Sequence, residues 1–145
     1  MQGATIDFDS QPGPDGSRAL RLDFTGGSNI NLGAPWQFVP VHRQTTYHFH
    51  AYMRTEDITT ESGLRFSIID PNHPNAVGVL TENLTGTHAW NALDANVTTG
   101  AETHFLLVQL FRAPSRLFDN QLSGTVWIAG VSLVQTGAEA EQPPR

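Results

Sequence analysis

Apolar and polar residues alternate along most of this chain, most regularly between Thr45 and Thr55. Successive side chains of a β-strand point to opposite faces of its sheet, so this segment is predicted to be a strand with two different faces. One face carries Tyr47, Phe49, Ala51 and Met53, and the other carries His48, His50, Tyr52 and Arg54. We expect the first face to pack in the core. The second face is a candidate functional surface, because two imidazoles, a phenol and a guanidinium are an unusual set for a surface that only meets water.

Shorter alternating segments, separated by clusters of glycine, proline and polar residues, predict further strands on both sides of this one. Together the predicted strands cover residues 4–9, 18–25, 36–41, 45–55, 64–70, 76–82, 90–97, 103–111 and 124–135. Pro40 has no amide hydrogen, which places its strand at the edge of a sheet. No segment keeps a helical period over three turns. About nine short strands predict an all-β fold, an antiparallel sandwich or barrel.

The length of 145 residues fits one domain whose core is large enough to fold without disulfides or metal. We place this β-sandwich domain at residues 4–135 and expect residues 136–145, which lack apolar periodicity, to form a flexible tail or linker. There is no lysine, and 8 arginines face 14 acidic residues, for a net charge of -6. An acidic surface repels phosphate backbones, so no nucleic-acid partner is expected.

Several kinds of chemistry are excluded by residues or motifs that the sequence lacks. Cysteine is absent, which excludes disulfides, thiolate nucleophiles and cysteine-based zinc sites. No apolar run approaches the roughly 20 residues of a membrane-spanning helix, so no membrane insertion is expected. There is no GxSxG nucleophile motif, and most carboxylates fall in predicted loops, where they are expected to be solvated. No catalytic residue is therefore assigned.

Five features of the sequence, in this order, match the pattern of one known superfamily. They are the segments GSRALRLDF (16–24), YHFHAYMRT (47–55) and SGLRF (62–66), then Trp90, then GTVWIAGVSL (124–133). With these features the chain resembles the jelly-roll carbohydrate-binding modules of the galactose-binding-like superfamily, in particular those whose sugar lies along the concave sheet. The resemblance implies an antiparallel jelly-roll β-sandwich of about nine strands. It implies a non-catalytic module that binds a polysaccharide or oligosaccharide chain.

The resemblance also implies a setting for the module. We expect it to be tethered within a larger exported protein, in an extracellular or periplasmic location. The chain is similar as well to sandwich domains appended to bacterial envelope proteins. A second interpretation therefore stays open, in which this is an accessory domain that binds protein or spaces its neighbours.

A structural calcium ion, held partly by an aspartate of the last strand, is common in the modules that the chain resembles. This sequence has Ala129 at that position, and a methyl group cannot ligate calcium, which takes about six to eight oxygen ligands. Asp7 and Asp9 remain as oxygen donors. We therefore expect no cofactor, and Ala129 weakens the expectation of calcium.

Sugar binding needs an aromatic platform for the apolar face of the ring, and planar polar groups for its hydroxyls. The polar face of the segment 45–55 offers this mixture. We expect Arg65 and Ser67 to extend this face on a neighbouring strand, as do Gln109 and Phe111, with Trp36 and Gln37 at the rim. The candidate ligand-binding residues are therefore Trp36, Gln37, His48, His50, Tyr52, Arg54, Arg65, Gln109 and Phe111.

Two alternatives to this prediction stay open. In the first, the polar face is a solvated or loop-covered surface, with Tyr52 packed under a loop and Arg54 paired to an acid such as Glu56. In the second alternative, the chain is a cupin-like metalloenzyme that uses His48 and His50. Such a site also needs a nearby glutamate and a distant histidine, for which Glu56 and His104 are the available residues. We assign no metal site on this pattern. Trp90 and Trp127 lie among apolar strand residues and are predicted to be core.

Overall fold

The computed structural model describes residues 3–118 and 120–136, and the predicted tail from residue 137 onward lies outside them. Nine strands and no helix are found in these residues, which confirms the all-β prediction. In chain order they are β1 (Ala4–Pro12), β2 (Arg18–Thr25), β3 (Leu32–Pro40), β4 (Thr46–Ile58), β5 (Arg65–Ile69), β6 (Gly78–Leu80), β7 (Gly86–Thr98), β8 (Phe105–Arg112) and β9 (Ser123–Thr136). Accordingly, no described segment is a helix long and apolar enough to cross a membrane.

The strands form two sheets, a five-stranded one in the order β1-β2-β9-β4-β7 and a four-stranded one in the order β3-β8-β5-β6. Every strand pair within them is antiparallel. This is the predicted jelly-roll sandwich. β3 lies at an edge of its sheet, as expected from Pro40. The strand has β8 as a neighbour on one side only, so the missing amide hydrogen of Pro40 removes no hydrogen bond to a second strand.

The core lies between the inner faces of the two sheets. On β4, Phe49, Ala51 and Met53 are completely buried, and Leu106 and Leu110 of β8 are buried opposite them in the same cluster. The apolar half of β4 therefore packs inward, as predicted. Other apolar strand residues do not, because Ile6 and Phe8 of β1 and Trp36 and Phe38 of β3 are exposed. Trp90 is half-buried and does not belong to the cluster.

One end of the sandwich is held by Arg112, the last residue of β8, whose side chain is only 1% exposed. Its guanidinium donates hydrogen bonds to the carbonyl oxygens of Ile30 at 2.7 Å and Ser62 at 2.7 Å, and to Asn29 Oδ1 at 3.1 Å. The guanidinium also donates a hydrogen bond to Thr60 Oγ1 at 3.1 Å. Arg112 thus ties the segment before β3 to the β4–β5 connection, because its planar group has five donors in a fixed arrangement.

The other end is held by Asp70, which follows β5 and is 2% exposed. Its carboxylate accepts hydrogen bonds from the backbone amides of Asn72 and His73 at 2.9 and 3.1 Å, and from Thr103 Oγ1 at 2.9 Å. Burial alone would raise the pKa of Asp70, but these hydrogen bonds outweigh it and the pKa is lowered. The buried carboxylate therefore stays charged and fixes the loops beside β5 and β8.

Candidate functional site

The polar residues of β4 lie on the outer face of the five-stranded sheet, between β7 on one side and β9 on the other. His48, His50, Tyr52 and Arg54 are all half-buried there. Their positions follow from the strand period, since the intervening residues are held in the core. We call the outer surface of this sheet the β4 face, defined by these four residues and their neighbours on β7, β9 and β2.

Two histidines and one aspartate converge on the β4 face. Asp94 of β7 is the direct cross-strand partner of His50. Its Oδ1 atom lies 2.8 Å from His48 Nε2 and 2.8 Å from His50 Nδ1. One carboxylate oxygen is therefore shared by two imidazoles that stand two residues apart on the same strand.

The neighbours of these imidazoles fix their orientation. His48 Nδ1 lies 3.2 Å from Asn96 Oδ1, and His50 packs edge-on against Tyr52 with ring centroids 4.7 Å apart. Hydrogen bonds to Asn96 and then Asp94 raise the pKa of His48. Hydrogen bonds from His50 and His48 lower the pKa of Asp94. Both shifts favour a charged imidazole beside a charged carboxylate.

The turn after β1 folds over the middle of the β4 face. A Cβ on Gly13 would lie 2.4 Å from the methyl group of Ala129, so only glycine lets the turn approach this closely. Asp15, in the same turn, is close to Tyr52: a Cβ on Gly130 would lie 2.6 Å from Asp15 Oδ2 and 3.1 Å from Tyr52 Cδ2. The turn therefore forms a wall beside Tyr52.

The same contacts test whether the residues fit a structural calcium ion. The position expected to supply a carboxylate holds the methyl of Ala129, packed against Gly13. The carboxylate of Asp7 accepts the amide of Phe8 at 2.8 Å. The position of Ala129 therefore supplies no oxygen ligand to a calcium ion, which weakens the fit of a structural calcium at this place.

Beyond the turn, the β4 face contains Trp127 of β9 beneath two arginines. The guanidinium carbon of Arg54 lies 4.2 Å from the centre of the Trp127 ring system, and that of Arg21 lies 5.5 Å away. Trp127 is 5% exposed, and its Nε1 has no hydrogen-bond acceptor among the described residues. Trp127 is buried, as predicted, but on the outer face of the sheet, outside the cluster between the sheets.

The two arginines differ in their acid partners. Arg21 pairs with Asp23, with 3.0 Å between Nε and Oδ2. The described residues contain no ion pair of Arg54, so the expected pairing of Arg54 with Glu56 is wrong for this structure. The guanidinium of Arg54 instead lies over the indole of Trp127, at cation–π distance. The other part of that alternative, a loop beside Tyr52, agrees with the position of the turn that contains Asp15.

The other predicted ligand-binding residues lie elsewhere. Arg65 of β5 and Phe111 of β8 are cross-strand partners, as are Trp36 of β3 and Gln109 of β8, and all three strands belong to the four-stranded sheet. Gln37 is exposed on β3. The prediction that these residues extend or rim the face of His48 is therefore wrong, because β5 and β8 pair with each other and not with β4.

Three aromatic rings lie next to one another on the outer face of the four-stranded sheet. Trp36 is 56% and Phe38 is 47% exposed, their ring centroids are 5.1 Å apart, and Phe38 meets Phe105 at 5.2 Å. We call this group of three residues the aromatic stripe. A mainly apolar cavity of about 360 Å³ opens beside it, between the sheets, and Trp36 and Gln109 contribute to its lining.

Sequence reasoning missed Asp94, Asn96 and Asp15 on the β4 face, and Phe38 and Phe105 in the aromatic stripe. Asp94 and Asn96 alternate with the inward-facing Leu93, Ala95 and Val97. That alternation was a usable signal for their outward direction, but nothing in the sequence indicated that β7 pairs with β4.

No family model and no curated protein sequence matches this chain. Among solved structures, it is similar to a CBM4 carbohydrate-binding module, with TM-score 0.61 and 11% identity over 92% of this chain and 79% of that one. It is also similar to the CBM22-1 xylan-binding domain of Xyn10C from Paenibacillus barcinonensis, with TM-score 0.60 and 13% identity over 95% and 85% of the two chains. A third similar structure is the enzymatically active domain of tailspike protein 4 from bacteriophage CBA120, with TM-score 0.67 and 12% identity; 92% of this chain matches 18% of that one.

At these identities the similarity establishes the fold. The chain is a jelly-roll β-sandwich of the kind found in carbohydrate-binding modules and also within a larger, enzymatically active chain. The resemblance predicted from the sequence is confirmed at this level. What the chain binds has to be argued from its own residues.

Proposed function

We propose that this chain is a non-catalytic carbohydrate-binding module whose glycan lies along the β4 face. The fold supports this class of function, since carbohydrate-binding modules are among the similar structures. The observation that carries the choice of face is the row of half-buried His48, His50, Tyr52 and Arg54 on one strand. Between its first and last members the row is about 20 Å long, at roughly 3.3 Å per residue.

The chemistry of this row suits a polyhydroxylated chain. Histidine, asparagine and aspartate provide hydrogen-bond acceptors, and Arg54 provides several donors. Tyr52 offers an aromatic surface beside the wall formed by the turn that contains Asp15. Its ring is held edge-on against His50, so the platform is already oriented before a ligand arrives.

Arg54 and Trp127 form a second contact region on the same face. The guanidinium of Arg54 lies over the indole, which restrains its position, and its N–H groups can donate hydrogen bonds to two neighbouring hydroxyls. The ring of Trp127 is itself covered, so we assign the hydrogen bonding to Arg54 and only a supporting role to the indole.

The module is proposed to be non-catalytic, and the lowered pKa values of three aspartates on or beside this face support that part of the proposal. A glycosidase requires one carboxyl group that stays protonated long enough to act as a general acid. Hydrogen bonds from His50 and His48 lower the pKa of Asp94. Hydrogen bonds from the side chain and backbone of Ser17 lower the pKa of Asp15. Burial alone would raise the pKa of Asp23, but Arg21 and Thr125 outweigh it and that pKa is lowered as well.

The aromatic stripe supports the second candidate function, an accessory domain that contacts protein. Trp36 and Phe38 are exposed, adjacent and next to a mainly apolar cavity. Exposed aromatic groups of this kind are enriched where proteins meet. On this proposal the stripe contacts a neighbouring domain of a larger exported protein, in an extracellular or periplasmic setting, and the β4 face stays open to glycan.

The two faces are separated by one pair of variants. Wild type, Tyr52→Ala and Trp36→Ala are measured by calorimetry and affinity electrophoresis against a panel of soluble polysaccharides. We expect Tyr52→Ala to lose about tenfold in affinity, which corresponds to about 1.4 kcal/mol, and Trp36→Ala to match wild type. Reducing-end assays on the same mixtures should detect no hydrolysis.

Each contrary result of this experiment has a definite meaning. If the wild type binds no glycan of the panel, the leading proposal fails and the accessory-domain function stands. If Trp36→Ala loses binding and Tyr52→Ala does not, the glycan face has been assigned to the wrong sheet. Hydrolysis would contradict the non-catalytic part of the proposal.

A further inference from the structure

His48, His50 and Asp94 form a cluster whose donor atoms all lie within 4.8 Å of one another. We propose that these three residues bind a divalent transition-metal ion of the zinc type on the β4 face. The inference is independent of the proposed glycan function, because it depends only on the donor set and its geometry.

The spacing of the donors suits a small ion. In a tetrahedral zinc site with metal–ligand bonds of about 2.0–2.2 Å, neighbouring donor atoms lie about 3.4 Å apart. Asp94 Oδ1 lies 2.8 Å from both His48 Nε2 and His50 Nδ1. Separating each imidazole from the carboxylate by about half an ångström, through small side-chain rotations, opens the place for the ion.

The contact of His48 with Asn96 fixes which ring nitrogen would bind the ion. Asn96 Oδ1 can only accept, so His48 Nδ1 at 3.2 Å is the nitrogen that donates to it. His48 Nε2, at 2.8 Å from Asp94 Oδ1, is then the nitrogen that faces the carboxylate and would ligate the metal.

Asn96 thereby acts as a positioning residue. Histidines that bind metals typically donate their other ring N–H to an oxygen that fixes the tautomer and the ring orientation. Asn96 provides this oxygen for His48, and the edge-on contact with Tyr52 restrains the ring of His50. The site is therefore oriented before the ion binds.

The donor set selects the kind of ion and leaves coordination positions open. Two imidazole nitrogens and one carboxylate oxygen suit zinc, copper or nickel, whereas calcium and magnesium prefer oxygen ligands. The side chains of His48 and Asp94 are 41% and 46% exposed, so water completes the coordination. Glu56 and His104, the residues that a cupin-like site would need, are not part of the cluster.

The proposal is tested by calorimetric titration of untagged, chelator-treated protein with zinc chloride in the absence of glycan. We expect one zinc per chain, at least tenfold weaker binding in His48→Ala and in Asp94→Asn, and about tenfold weaker binding in Asn96→Ala. His88→Ala is the matched control, since it removes an exposed histidine of β7 outside the cluster. Excess calcium should leave the zinc affinity unchanged.

A spectroscopic measurement reports on the same residues even where affinities are weak. Zinc should shift the imidazole NMR signals of His48 and His50 and leave those of His88 in place. The proposal is overturned if the wild type takes up no zinc, if His48→Ala and Asp94→Asn bind as tightly as wild type, or if His88→Ala abolishes binding. Because no glycan is present, none of these results bears on the carbohydrate proposal.

Discussion

Replacing Arg112 with methionine removes the polar anchor at one end of the sandwich while keeping much of the side-chain volume. The change removes the donor of the Ile30 carbonyl, whereas the Ser62 carbonyl keeps the hydroxyl of Thr60 and Asn29 Oδ1 keeps the amide of Ser115. Leaving the Ile30 carbonyl unsatisfied costs about 1–3 kcal/mol, each further hydrogen bond lost to the charged guanidinium costs about 1.5–3 kcal/mol, and removing the buried charge recovers part of this sum. We expect a net loss of about 3 kcal/mol in the free energy of unfolding.

At about 2–4 °C per kcal/mol for a domain of this size, that loss lowers the Tm by roughly 6–12 °C. Urea denaturation followed by tryptophan fluorescence measures the free energy directly. Arg116→Met is the matched control, because Arg116 is exposed in the loop that follows Arg112. An Arg112→Met protein within about 0.5 kcal/mol of the control, the range of ordinary surface substitutions, would refute the anchoring role.

Three further predictions follow from the same structure. Asp70→Asn should be less stable than wild type at neutral pH, and the difference should shrink as the pH falls below about 4. Hydrogen bonds outweigh burial and lower the pKa of Asp70 in the folded state, so the stability that the charged carboxylate contributes is lost as the pH falls. Acid unfolding curves of both proteins measure this loss. Gly130→Ala should destabilise the fold and disturb Tyr52, because Gly130 has a φ of 60° and a Cβ there would lie 2.6 Å from Asp15 Oδ2. Thermal unfolding followed by circular dichroism measures the expected loss of stability. Arg54→Ala should uncover Trp127 and shift its fluorescence to the red, whereas an unchanged spectrum would contradict the stacking.

The alternation of apolar and polar residues within each strand predicted most of the fold. Alternation in β4 correctly placed Phe49 and Met53 in the core and His48 on the outer face, because a buried face on one side fixes the direction of every second residue. The ends of β2 were also predicted, since a turn-rich cluster precedes it and a pair of glycines follows it.

The candidate site was predicted less completely, for a physical reason. Alternation states which side of its own sheet a residue faces, but it does not state which strands share that sheet. Arg65 and Gln109 were therefore assigned to the face of His48, although β5 and β8 lie in the opposite sheet. Asp94 was missed for the converse reason, since it meets His50 only through the pairing of β7 with β4.

Burial on the outer face was the other feature that the pattern did not reveal. Trp127 is buried by two arginines from neighbouring strands and not by the inter-sheet core. Trp90, in a similar apolar setting along the chain, is only half-buried. The difference comes from neighbours that are distant in sequence, which local hydrophobicity does not encode.

The central claim, that glycan lies along the β4 face, is tested most directly by residue-resolved NMR. The ¹⁵N-labelled protein is titrated with the soluble polysaccharides of the panel, and amide shifts are mapped onto the two sheets. We predict saturable shifts centred on His50, Tyr52 and Arg54, with residues of the aromatic stripe unmoved. Shifts confined to β3 and β8, or no saturable shift with any polysaccharide, would contradict the account.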